Sequence, residues 1–245
     1  MTELLIADYN VFLIRRSIVR NSISFYMRIL RAVYNKAVRQ HLAQPAHLFQ
    51  DVYTGIDHTR KRAVPESVII QLYKLDLPEK SSLALARDLF IFSYGTRGMA
   101  FVDMAYLRQS DIRDGMISYA RHKTGQRLTV KIEPSIQQII DCYASDNSPY
   151  IFPVLSSVES QKAYKQYQTA INTQNRLLCQ LSKRLSMECK LTSYTSRHSW
   201  ATAARNHNVP ISVISAGMGH ASERTTQIYL TMLENSAIDT AIKEL

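Results

Sequence analysis

Near the carboxy end of the sequence Arg197, Gly219-His220 and Tyr229 follow one another within LTSYTSRHSWATAARNHNVPISVISAGMGHASERTTQIYLTM, the tyrosine nine residues after the histidine. A tyrosine hydroxyl, with an ordinary pKa near ~10, is a weak nucleophile, and its attack on a phosphodiester requires a neighbouring positive field and a proton acceptor. A guanidinium such as that of Arg197 offers a planar fork to two non-bridging phosphate oxygens and stabilises the charge that develops as phosphorus becomes pentacoordinate. The imidazole of His220 can donate a further hydrogen bond to the same phosphate. Taken alone, one tyrosine among 14 reads as a core or surface residue. Its spacing from Gly219-His220 and the Thr225-Thr226 before it reverse that judgement, because generic core packing would not be expected to produce this ordered set.

These segments resemble the tyrosine recombinases, the phage-integrase family. Its catalytic domains carry an Arg-His-Ser/Thr-x-Ala-Thr helix, a Leu/Met-Gly-His turn and a Thr-Thr-x-x-Tyr motif, here Arg197 to Thr202, Met218-Gly219-His220 and Thr225 to Tyr229. The resemblance covers residues 65–245, and residues 22–49 look like the last part of the family's helical core-binding domain. It implies a DNA strand transferase, a site-specific recombinase of the integrase or invertase type, of the kind that serves mobile elements. Tyr229 would cut and rejoin DNA through a 3′-phosphotyrosyl intermediate, with Arg197 and His220 on the phosphate. Lys123, in the turn Lys123-Thr124-Gly125, would protonate the leaving 5′ oxygen, since an ammonium can lose its proton when desolvated and a guanidinium cannot. Double-stranded DNA is the implied partner, held in a C-shaped clamp, with a homotetramer joining two sites and DNA-bending accessory proteins as further candidates. One phosphoester replaces another, so the chemistry requires no cofactor, and nothing in the sequence looks like a metal cluster or a Gly-rich phosphate loop.

Two positions depart from the family pattern. Tyr194 stands where the family usually has a histidine, three residues before Arg197. A phenol is a poor base at neutral pH, so Tyr194 is expected to position the phosphate or a neighbour. Aligning Gly98-Met99-Ala100-Phe101-Val102-Asp103 on the family's Gly-x-Arg-x-x-Glu puts Ala100 in the arginine column. Arg97, three residues earlier, is one substitute. Arg121 is another, two residues before Lys123 and on the same face if both belong to one strand. The sequence leaves both open. His198 reads as a packed histidine bonded to backbone, and Trp200, Ala201 and Ala204 read as helix core.

The surrounding elements must hold these groups, and their pattern is mostly α with a small β-hairpin, an α+β chain. Residues 22–41 place Ile23, Tyr26, Ile29, Leu30, Val33 and Ala37 at helical steps, with Arg28, Arg31, Lys36 and Arg39 on the other face. Helical patterns recur at 66–74, 81–94, around Phe101 to Leu107, and at 135–143, 162–187 and 195–206, with shorter pieces from Pro210 onward. Strands are expected at 116–122 and 127–132, with Lys123 at the hairpin tip. The implied organisation is a short helical DNA-binding module at 1–57, a basic linker at 58–66 containing HTRKRAVP, and a catalytic domain at 67–245. Within 234–245, Ala237, Ile238, Ala241, Ile242 and Leu245 form an apolar helical stripe that resembles the family's subunit-docking helix.

Thirty Lys+Arg against 20 Asp+Glu give a net charge of +10, which suggests a polyanionic partner. Seven Gly, seven Pro and 46% hydrophobic residues exclude a collagen-like or low-complexity chain. No apolar run approaches the ~18 residues of a membrane span, and the expected location is the cytoplasm, without a signal peptide and on the nucleoid when DNA is bound. Three widely spaced cysteines are expected to be reduced, buried and inert. Two rivals remain: a catalytically impaired DNA-binding integrase remnant, motivated by Ala100, Tyr194 and the short amino-terminal module, and a type IB topoisomerase, which uses the same nucleophile without exchanging partners.

Overall fold

The computed structural model describes residues 1–57, 63–220 and 222–230, apart from the side chains of Ile228 and Tyr229. The basic run at 58–62 and the apolar stripe expected at 234–245 lie outside the described residues. The chain divides into two compact units, Met1–Arg60 and Lys61–Leu245.

In the first unit α1 (Glu3–Arg15) begins where Thr2 Oγ1 accepts from the Leu5 N–H, and α2 (Arg20–Arg39) follows. Ile23, Met27, Leu30 and Tyr34 recur at steps of three and four along α2 and pack with Ile6, Leu13, Leu48 and Phe49. Tyr26, Ile29 and Val33, part of the stripe expected to be the core face, are exposed instead. Ile23 and Leu30 of that stripe do pack inward, so the periodicity gives the helix and part of its core face, while the apolar arc is wider than the face that is buried. Residues 53–57 fold back on α2. Asn21 Nδ2 donates to the Asp57 carbonyl at 2.9 Å and Asn21 Oδ1 accepts from the Asp57 N–H at 2.7 Å. The Arg20 guanidinium lies 3.9 Å from the Tyr53 ring centroid.

The second unit contains α3 (Glu66–Tyr73), α4 (Ser82–Gly95), α5 (Phe101–Ala105), strands β1 (Ile112–Arg113), β2 (Met116–Ala120) and β3 (Arg127–Lys131), then α6 (Pro134–Tyr143), α7 (Ser160–Arg184), α8 (Thr195–Asn206), α9 (Ile211–Met218) and α10 (Glu223–Leu230). The fold is mostly helical with one small sheet, as the sequence pattern predicts. Helix α4 is central. It packs on α7 and α8 and buries Leu89, Phe90, Ile91 and Phe92, the last edge-on to Phe152 at 4.9 Å.

The sheet is antiparallel in the order β1-β2-β3, so the expected hairpin gains a third strand of only two residues. Ile117 pairs with Val130 and both are buried, while Ser118 and Thr129, the next pair, share a hydrogen bond on the exposed face. The strands stop short of the expected ends. The last paired residues are Ala120 and Arg127, after which the Arg121 N–H donates to the Gln126 carbonyl at 2.8 Å and the Gly125 N–H donates back to the Arg121 carbonyl at 2.8 Å. Lys123 therefore belongs to the turn, and the period of two that would align it with Arg121 does not apply. Cys142 and Cys189 are exposed, contrary to the expectation of burial, and Cys179 is half-buried.

Candidate active site

The site begins with α8, which is fastened to α4. Ser196 Oγ and Ser93 Oγ are 2.6 Å apart and buried, and Ser93 Oγ also donates to the Met99 carbonyl. One residue beyond Ser196, Arg197 is only 3% exposed, so its charge must be met inside the protein. Its Nη1 donates to the Gly98 carbonyl at 2.6 Å, and its Nη2 donates to the Met218 carbonyl at 2.6 Å and to His220 Nε2 at 3.0 Å. Two helix ends supply those carbonyls. At the end of α4 the Gly98 N–H bonds the Ser93 carbonyl and the Arg97 N–H bonds the Tyr94 carbonyl, a Schellman motif. Gly98 has φ +75, and a Cβ there would lie 2.7 Å from Arg197 Cγ. Only glycine gives both the left-handed backbone and that approach.

Helix α9 ends the same way. The His220 N–H bonds the Ser215 carbonyl and the Gly219 N–H bonds the Ala216 carbonyl, with Gly219 at φ +64. This turn presents His220. A guanidinium can only donate, so His220 Nε2 is an acceptor and Nδ1–H donates to Thr226 Oγ1 at 2.8 Å. Burial, followed by the charges of Arg197, Arg121 and Lys123, pushes the imidazole down to about 4, so the ring is neutral near pH 7. Its Nε2 accepts in this state, whereas the sequence reading expected a donor to phosphate.

The hairpin closes over the same turn. Arg121 Nη1 donates to the Gly219 carbonyl, its Cδ would lie 2.9 Å from a Cβ at Gly219, and its Nε is buried without a partner. Lys123 is exposed in the turn, near enough to contribute to the His220 shift. Asp103, on α5, is 5% exposed and accepts from the His122 N–H at 2.7 Å. Burial raises its pKa, against the lowering pull of that N–H, Arg121 and Arg197. Arg97, in the left-handed region at φ +61, lines a cavity of about 700 Å³ with Trp200 and Gly217. Ala100 caps α5 without a side-chain hydrogen bond.

Tyr194 sits before the first turn of α8, 49% exposed, its ring edge-on to His198 at 5.0 Å. Tyr229 lies on α10, and its side chain is outside the described residues. Arg197, His220 and Arg121 thus meet at one turn, with Lys123 beside them. Sequence reasoning missed Gly98, Ser93 and Thr226 as supports. Of these, Thr226 carried a signal, since it precedes the tyrosine within the Thr-Thr motif. Among the described residues no group of His, Cys, Asp and Glu could hold a metal ion, and no helix is long and apolar enough to cross a membrane.

The sequence is 30% identical over 148 residues to tyrosine recombinase XerA of Pyrococcus furiosus, covering 58% of this chain and 49% of that protein. It is 23% identical over 229 residues to tyrosine recombinase XerD of Shewanella oneidensis, covering 90% of this chain and 74% of that protein. The chain therefore spans about half the length of the first of these relatives. Its fold is similar to a lambda integrase dimer bound to a COC′ core site, with a TM-score of 0.66 at 14% identity over 94% of this chain and 79% of that one. The Tn1549 transposon integrase in complex with circular intermediate DNA gives a TM-score of 0.65 at 16% identity over 94% and 80% of the two chains. At these identities the likeness is one of fold. The family model "Phage integrase family" matches residues 67–235, most of the second unit and of the whole sequence, and the chain belongs to that family.

Proposed function

We propose that the protein is a site-specific DNA recombinase of the integrase or invertase type. The Tyr229 hydroxyl gives up its proton to water as Oη attacks a phosphodiester, a 3′-phosphotyrosyl ester forms, and the bond to the 5′ oxygen breaks as Lys123 delivers a proton to it. A 5′ hydroxyl of a partner strand then reverses the step, and one ester again replaces another. The reading is carried by the convergence of Arg197, His220 and Arg121 on residues 218–220, with Arg197 Nη2 3.0 Å from His220 Nε2. Donors fixed in a water-poor setting stabilise developing phosphate charge without reorganising at the moment of reaction. Arg121 takes the part of the arginine missing at Ala100, because it shares the Gly219 turn with His220 while Arg97 lines the cavity beside Trp200. Tyr194 positions the phosphate or a neighbour.

The unit at 1–57 is proposed to grip DNA, the run at 58–66 to link, and residues 67–245 to carry the chemistry. A chain of net charge +10 suits a DNA partner. The proteins of similar fold include a lambda integrase tetramer bound to a Holliday junction, which supports a tetramer on two duplexes here. Cytoplasmic location, on the nucleoid when bound, and DNA-bending accessory proteins follow from the same reading.

Covalent trapping tests it. Purified protein is incubated with nicked genomic fragments from its source, denatured in detergent, and compared with Tyr229→Phe. A DNA-linked band that requires Tyr229 is expected, and sequencing the attached fragments identifies the site. Ala100 motivates the second reading, a remnant that binds DNA without cutting it. Salt-sensitive binding with no covalent band would establish that reading, and relaxation of supercoils without exchanged products would indicate a topoisomerase.

A further inference from the structure

We propose that the His122 ring is a positioning device for Lys123, stacked on Tyr106 so that the hairpin tip is held at a fixed place beside the phosphate site. The proposal rests on the reading that Lys123 is the general acid. His122 is exposed, and an exposed histidine at a hairpin tip would ordinarily sample several rotamers. Here its ring lies 4.7 Å from the Tyr106 ring at an interplanar angle of 22°, within the range of offset stacking. Tyr106 is braced in turn. Its ring lies 6.4 Å from Tyr167 on α7, and Tyr167 lies 6.2 Å from Phe101, so both ends of α5 lean on the same tyrosine. The His122 backbone is held by the same helix, because its N–H donates to Asp103 at 2.7 Å. Asp103 and Tyr106 are three residues apart, a spacing that brings two side chains to one side of a helix.

Helix α5 and the residue that caps its end therefore grip residue 122 twice, by main chain and by ring. The next Cα follows at the fixed spacing of a trans peptide, so the Lys123 side chain starts from a restrained point although it is itself exposed. Helix α5 lacks the family's arginine at Ala100, yet on this reading it still serves the chemistry by aiming the acid. A misplacement of about 1 Å can cost on the order of 10²-fold in rate.

Two nicked duplexes of the trapped site separate aiming from support, one with the natural 5′ oxygen leaving group and one with a bridging 5′ sulfur, whose departure needs no proton. His122→Ala and Tyr106→Ala are expected to slow covalent-complex formation on the oxygen duplex by about 10–100-fold and to leave the sulfur duplex within about 2-fold of wild type. His122→Phe and Tyr106→Phe keep the stacked rings and are expected to restore the oxygen duplex. Equal slowing on both duplexes, or no slowing on either, overturns the proposal. Amide hydrogen exchange of the DNA-free protein gives an arm that needs no activity. Protection at residues 121–126 should fall about 10-fold in the two alanine variants while β2 and β3 hold, and unchanged protection overturns the clamp. A wild type inert on both duplexes would refute the strand-transfer reading, and the exchange arm would still decide whether the stack restrains the tip.

Discussion

On one side of the site Arg197 is enclosed, 3% exposed, with three hydrogen bonds of 3.0 Å or less to two helix ends and an imidazole. On the other side Lys123 rises from an exposed turn whose neighbour is held by one ring stack and one main-chain hydrogen bond. The difference follows from what each group must do. A charge stabiliser gains from a fixed, dry setting, where its dipoles need no reorganisation. A proton donor must reach the leaving oxygen, and a side chain on an exposed turn is free to approach it. The enclosed half should therefore tie activity to stability, and the exposed half should separate them.

Substitution in the enclosed half tests the first part of that claim. Arg197→Lys removes the planar fork that reaches Gly98, Met218 and His220 together, and an activity loss of about 10³-fold in covalent trapping is expected. Gly98→Ala puts a Cβ 2.7 Å from Arg197 Cγ at a φ of +75. A cost of about 1–3 kcal/mol is expected from the strained backbone, read as a lower Tm together with lost cleavage. Retained cleavage in a Gly98→Ala protein of unchanged Tm would refute the tie.

In the exposed half, Lys123→Ala is expected to lose about 10²-fold or more in cleavage with an unchanged Tm, because the residue is exposed in a turn. A fall in Tm matching that of Gly98→Ala would make the two halves alike. Arg121 stands between them, half-buried on the hairpin yet bonded to the Gly219 carbonyl. Arg121→Ala should slow cleavage by about 10-fold or more, and Arg97→Ala by less than about 3-fold, measured in the same trapping assay. The reverse order would assign the missing arginine to Arg97.

How much of this was legible in the sequence divides along physical lines. The bounds of α8, Thr195–Asn206, follow from the periodicity, and the motif order marks Arg197 and His220. Helix α1 escaped notice because Leu4, Leu5, Val11, Phe12 and Ile14 are exposed and only Ile6 and Leu13 are buried, so its sequence shows no clean stripe. Strand β1 has two residues, too few for a period of two to declare itself. The meeting of Arg121 with Gly219 spans 98 positions, and no local pattern encodes a contact at that separation. The Ser93–Ser196 and Tyr106–His122 contacts were hidden for the same reason.

The mildest consequence concerns the imidazole at the seam. His220 is held near 4 in the folded protein, against an ordinary value of 6.5, chiefly by burial and then by Arg197, Arg121 and Lys123. The native state thus binds fewer protons than the unfolded chain between those values. The contribution of His220 to stability is complete above about pH 6.5, falls as the pH drops through that interval, and is lost below about 4. His220→Asn should flatten that part of the stability–pH curve, read by denaturant unfolding at a series of pH values. Lys123→Ala, which removes the smallest of these three charge effects, should raise the His220 midpoint less than Arg121→Ala does, as read from the ring protons by NMR. A His220 that titrates at its ordinary value in the DNA-free protein would mean that Nε2 is not enclosed with Arg197. The contrast between a closed half and an open half would then fail at the residue they share.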